Sequence, residues 1–120
     1  MHAHLAKRLF DARSAALRIK ALTRTMTFAE FESDEVIRLA GERLLEIMGE
    51  ALAAALRIDP ELESRFPEMR RAVSLRNRII HGYDDINDVV IWDIVQTNLP
   101  PLVQMIEDRL SENSRERPGT

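Results

Sequence analysis

The chain has 120 residues, no cysteine and a formal net charge of −3. That length supports one domain with one core, and without cysteine there is neither a disulfide framework nor a cysteine-based zinc site. No apolar stretch approaches the roughly 20 residues of a membrane span, and Met1-His2-Ala3-His4 lacks the basic and apolar segments of a signal peptide, so a soluble, cytoplasmic protein without a membrane partner is expected.

Helical spacing dominates from the start. Leu5, Leu9, Ala12, Ala16 and Ile19 recur at three- and four-residue steps, which predicts a first helix from about Leu5 to Arg24. Thr25-Met26-Thr27 breaks it, and Thr27 with Glu30 has the spacing of a capping box for one short turn through Phe31. Ser33, followed by Asp34 and Glu35, is expected to cap the second long helix. Its apolar stripe takes in Val36, Leu39, Ala40, Leu44, Ile47, Met48, Ala51, Leu52 and Ala55, with Arg43 as the polar exception. Gly41 and Gly49 lie inside it on nearly one face, and a helical glycine costs about 1 kcal/mol against alanine. Close approach of a neighbouring helix and simple tolerance are both open for them.

Asp59-Pro60 pairs a cap with a proline at the first helical position and opens a short turn over Glu61 to Arg65. Pro67 opens a third main helix through Met69, Val73, Leu75, Ile79 and Ile80, which Gly82 should stop near His81. Asn87 or Asp88 caps the last helix, which holds Val89, Val90, Trp92, Ile94 and Val95. Leu99-Pro100-Pro101 should kink or split that helix, because proline lacks a backbone donor, before it resumes through Leu102, Met105, Ile106 and Leu110. From Ser111 the composition suits a frayed tail. The expected architecture is therefore all-α: a bundle of four main helices with short extra turns, kinked in the last helix at Pro100-Pro101. The domain covers residues 1–110, with a disordered tail over 111–120.

The chemistry is concentrated in Arg76-Asn77-Arg78-Ile79-Ile80-His81-Gly82-Tyr83. An overall acidic chain is poorly suited to broad nucleic-acid binding, but its charges are uneven. Between residues 65 and 78 stand Arg65, Arg70, Arg71, Arg76 and Arg78 against Glu68 alone, enough for a local basic face. Histidine exchanges protons near neutrality. Arginine presents a planar fork that matches phosphate oxygens and stabilises developing phosphoryl charge. Asparagine can fix a ring tautomer or hold a ribose hydroxyl. Together they suit metal-free cleavage of RNA, whose 2′-hydroxyl can attack the adjacent phosphate. Five steps leave Arg76 and His81 about 140° apart on an ideal helix, whereas Asn77 and His81 nearly eclipse. Arg76 could still converge on His81 through its long side chain, through loosening at Gly82, or through a second chain.

This run resembles the signature of the HEPN proteins: an arginine, a polar residue, three further positions and a histidine. Tyr83, two residues past the histidine, looks like the HepT toxin branch. The flanks Ala72-Val73-Ser74-Leu75, Ile91-Trp92-Asp93-Ile94-Val95 and Asn98-Leu99-Pro100-Pro101-Leu102 are similar too, as are Met26-Thr27-Phe28-Ala29-Glu30-Phe31 and Ile47-Met48-Gly49-Glu50-Ala51. The resemblance covers roughly Leu17 to Leu110. It implies a helical bundle that forms a homodimer, with the signature helices facing each other across a cleft. It further implies a toxin endoribonuclease with Arg76 and His81, from both chains, as the catalytic pair. Asn77 and Arg78 would support RNA binding. Tyr83 would be the residue that a nucleotidyltransferase antitoxin of the MntA kind adenylylates, as in a type VII-like toxin–antitoxin pair. No cofactor and no metal are expected. The alternative function is a non-catalytic HEPN subunit that binds a nucleotidyltransferase partner.

Other candidates carry less. Two histidines, His2 and His4, are too few for a metal site on a frayed end. Glu42, Glu46 and Glu50 form a row whose like charges repel at that spacing, as on a solvated helix face. Trp92 suits the core or a dimer contact better than base stacking.

Overall fold

The computed structural model describes residues 2–80 and 87–115, except for the side chains of Ile80 and of residues 113–115. The chain is all-α. Its helices are α1 (Ala3–Thr23), α2 (Phe28–Ser33), α3 (Glu35–Ile58), α4 (Leu62–Arg65), α5 (Pro67–Ile80), α6 (Asp88–Asp93) and α7 (Leu99–Arg115), with a π-helical stretch, Ile94–Asn98, between the last two. There is no strand among the described residues. Nor is any helix there long and apolar enough to cross a membrane.

The local signals explain most boundaries. Thr27 and Glu30 form both bonds of the expected capping box: Oγ1 of Thr27 accepts from the Glu30 amide (3.2 Å), and Oε1 of Glu30 accepts from the Thr27 amide (2.9 Å). The box starts a longer helix than expected. Ser33 closes α2, its hydroxyl donating to the Glu30 carbonyl (3.1 Å), so it cannot cap α3. Asp34 does so instead: its backbone is extended and Oδ1 accepts from the Ile37 amide at 3.0 Å. Asn87 caps α6 by accepting from the Val90 amide at 3.0 Å.

The irregularity expected at Pro100-Pro101 takes the form of the π-helical stretch just before them. The Leu99 amide reaches back to the Ile94 carbonyl there. A widened turn of this kind absorbs backbone groups that proline leaves without their usual partner. Helix α7 runs to Arg115, so residues 111–115 are helical where the composition suits a tail.

The core lies between α1 and α3, with α5 and α7 closing it. Small residues, Ala12, Ala15 and Ala16 on α1 and Ala51 and Ala55 on α3, are all buried and let those two helices pack closely. Around them Leu9, Ile19, Leu45, Met48, Leu52, Met69, Leu99 and Ile106 are fully buried, each contributing about 1.5–3 kcal/mol. Phe31 is 1% exposed and stacks at 5.2 Å on Trp92, which also meets Phe28 at 6.2 Å. Trp92 thus joins α2 to α6 within one chain.

The apolar stripe of α3 does not begin at its first turn. Val36 and Leu39 are 75% and 56% exposed, because only the short α2 and α6 flank that end. Arg43 also faces solvent, pairing with Glu46 at 3.2 Å. Arg13 ties α1 to α7 through Glu107 at 2.9 Å, and the buried Arg109 lies 3.6 Å from Glu112 and 4.0 Å from Asp59.

Candidate functional site

Helix α5 packs chiefly on α3, and the two approach closely at Gly49. A Cβ added there would overlap the Cβ of Arg76 and come within 3.0 Å of its Cγ and 3.1 Å of the Ala72 carbonyl oxygen. Gly49 therefore serves close approach, and the residue it admits is Arg76. Among the described residues nothing lies within 4 Å of a Cβ at Gly41, so there tolerance suffices.

Seated on Gly49, Arg76 is half-buried. Its Nη1 donates to Oδ1 of Asn77 at 3.0 Å, while its Nε is buried with no hydrogen-bond partner among the described residues. The base of the side chain is thus set by helix packing at Gly49 and the guanidinium by its neighbour. Asn77 spends its carbonyl oxygen on Arg76, which leaves its amide nitrogen as the donor it can offer.

Arg76 and Asn77 open on a groove of about 390 Å³ between α3 and α5, with Arg57, Glu63 and Arg70 on its walls and Leu56 and Val73 below. Arg78 lines a different groove of about 340 Å³, with Leu75, Ile94, Asn98 and Leu99. The two supporting residues expected from the sequence, Asn77 and Arg78, therefore serve opposite flanks of α5. Successive helical residues are about 100° apart, which is enough to separate them. The basic run 65–78 divides as well. Arg65 is drawn to Glu112 of α7 at 2.7 Å, and Arg70 to Glu63 at 3.4 Å.

His81 and Tyr83, expected as catalytic and modified residues, and the helix stop at Gly82 lie outside the described residues. On the far side of that segment, Asp88 at the start of α6 is 3.5 Å from Arg38 of α3. Glu42, one turn further along α3, has its carboxyl pushed above the usual value by burial, and next by the negative charge of Asp88, with Arg38 pulling the other way.

Compared with known protein families, residues 12–109 match the model described as Ribonuclease HepT-like. The chain belongs to that family. Among curated relatives of this HepT-like chain are two proteins of Methanocaldococcus jannaschii, each called "Putative RNase". One is 32% identical, over 82% of this chain and 90% of its own length. The other is 31% identical, over 87% and 85% respectively. The "Probable ribonuclease HepT" of Thermococcus cleftensis is 31% identical, over 78% of this chain and 84% of its own. No solved structure gives a significant match.

Among the described residues no group of three or more His, Asp or Glu could hold a metal ion. His2 and His4 stack on each other at 5.3 Å. Two features of the candidate site escape sequence reasoning. Gly49 can be suspected of a close approach, but spacing does not say to which side chain. Arg57, on α3, shares a groove with Arg76 across the helix seam, a proximity that no local pattern records.

Proposed function

We propose that this chain is the toxin of a toxin–antitoxin pair, a homodimeric, metal-independent endoribonuclease whose catalytic pair is Arg76 and His81. The observation that carries this is the seating of Arg76. A member of the HepT-like family holds the arginine of its signature against Gly49 and Asn77, at the mouth of a groove with two further arginines. A fixed, always-charged fork is what a phosphoryl group needs as charge builds on its oxygens. His81 takes the proton from a ribose 2′-hydroxyl. The 2′-oxygen forms a bond to phosphorus, the bond to the 5′-oxygen breaks, and that oxygen picks up a proton. The products are a 2′,3′-cyclic phosphate and a 5′-hydroxyl. Asn77 supports the strand from the same groove and Arg78 from the opposite flank of α5.

The second chain completes the site. Apolar surface suited to dimer contact is present, since Val89 is 60% exposed and Val90 and Ile79 are only partly buried. Such surface contributes roughly 25 cal/mol per Å² when covered.

Tyr83 is the control point. A nucleotidyltransferase antitoxin transfers AMP from ATP to its phenol oxygen: the O–P bond forms as the bond between the α- and β-phosphates breaks, releasing pyrophosphate and the phenol proton. The added phosphodiester, carried on the same signature run as Arg76, competes with RNA for arginine donors and repels an incoming backbone. Co-expression with a cognate nucleotidyltransferase, followed by intact-mass analysis, tests this. Adenylate should map to Tyr83 and silence cleavage. A Tyr83→Phe chain neutralised as well as wild type would leave complex formation, not modification, as the means of control.

A further inference from the structure

The groove at Arg76 does not end on α5. Arg57, which forms one wall of it, also lines a second groove of about 320 Å³ together with His2, His4 and Arg8 of α1. Across these two grooves the lining residues include Arg8, Arg57, Arg70 and Arg76 but only one carboxylate, Glu63. Glu63 is held by Arg70. Arg8 and Arg57 are exposed, and neither has a carboxylate within ion-pair distance among the described residues. Beyond Arg8 the next groove along α1 sets Asp11 and Glu50 against Arg8 and Arg18, so the excess of positive charge does not continue there. In a chain of net charge −3, two solvent-facing arginines without carboxylate partners among the described residues, one of them shared between the second groove and the groove at Arg76, call for a polyanion.

We propose that Arg57 and Arg8 form a phosphate track. It carries single-stranded RNA away from the cleavage point at Arg76, over the C-terminal half of α3 and onto the N-terminal turns of α1. The track presupposes the RNA substrate proposed above. It adds two residues that contact backbone phosphates outside the signature. Such contacts position the strand and are read through salt dependence rather than sequence.

The test is fluorescence anisotropy with a 5′-fluorescein-labelled, mixed-sequence, 20-nucleotide single-stranded RNA between 50 and 200 mM salt. The full chain carries His81→Ala so that the probe stays intact. Against this background, Arg8→Ala with Arg57→Ala should lower the slope of log affinity against log salt by about 1.4, at about 0.7 per phosphate contact on a single strand. Binding at 50 mM salt should weaken on the order of tenfold or more. Lys20→Ala with Arg24→Ala removes the same charge roughly 18–24 Å from Arg8 along α1 and should leave the slope unchanged. In the cleaving chain, the Arg8/Arg57 double variant should raise KM and spare kcat.

An unchanged slope in the double variant, or an equal loss in the Lys20/Arg24 control, overturns the track while leaving RNA cleavage by wild type intact. Arginine-dependent binding by a chain that never cleaves supports the track and sinks the ribonuclease proposal instead. No binding of the probe at 50 mM salt overturns the track outright.

Discussion

Arg76→Ala should leave the bundle folded and lower RNA cleavage by about 10²–10³-fold, the usual cost of removing one positioned charge-stabilising group. The fold should survive because the contact with Gly49 is made at Cβ and Cγ, and alanine keeps the Cβ. What is lost is a guanidinium whose Nε is buried without a partner and whose Nη1 holds Asn77. His81→Ala should cost at least as much, since proton transfer contributes about 10²–10⁴. Circular dichroism and melting curves check the fold, and timed cleavage of labelled RNA checks the rate. The two inactive chains also report on how the site is assembled. If each site takes Arg76 from one copy and His81 from the other, mixing and re-equilibrating the variants gives half heterodimers. Each of those has one intact site of two, so about a quarter of the activity returns in a two-fold dimer. No recovery would place the pair within one chain. Full activity in either single variant would remove the assignment.

Gly49→Ala carries the second large effect, and two opposing terms decide it. Replacing a helical glycine by alanine gains about 1 kcal/mol in propensity. Against that, the new Cβ overlaps the Cβ of Arg76 and crowds the Ala72 carbonyl. Both are fixed to the backbone of α5 and cannot swing aside as a side-chain tip can, so the helix itself must move. Overpacking of that kind costs about 1–3 kcal/mol, so the variant should be neutral to moderately destabilised, losing up to several degrees of Tm. Cleavage should fall further than stability does, because a misplacement on the order of 1 Å at a catalytic group can cost about 10²-fold. Gly41→Ala is the matched control. With nothing within 4 Å, it should gain up to about 1 kcal/mol and cleave normally. If the two variants behave alike in melting and in rate, Gly49 does not seat Arg76.

Much of the architecture could be read from local chemistry, because it is decided locally. The Thr27–Glu30 box, the proline start of α5 and the Asn87 cap each depend on residues three or four apart. Errors arise where a neighbour intervenes. Ser33 looks like a cap, but α2 claims it, and Asp34 takes its place. Val36 and Leu39 fit the stripe of α3 but face solvent, because periodicity cannot say how far along a helix its partners extend. The basic face over residues 65–78 was visible as composition. Its division was not, because the ion pairs that remove Arg65 from it involve Glu112 on another helix. The site is legible to the same degree. Arg76 and Asn77 stand together as neighbours must, while the seat at Gly49 and the shared wall at Arg57 are tertiary facts.

The most direct measurement is cleavage of total RNA by the purified chain in EDTA, with the ends of the products identified. Metal-free transesterification by Arg76 and His81 predicts undiminished cleavage, 2′,3′-cyclic phosphate and 5′-hydroxyl ends, and loss of both in His81→Ala. A chain that leaves RNA intact with and without magnesium would contradict it and favour a subunit that binds its nucleotidyltransferase without chemistry of its own. Cleavage that EDTA abolishes or that His81→Ala retains would also contradict it, and would assign the reaction to other groups.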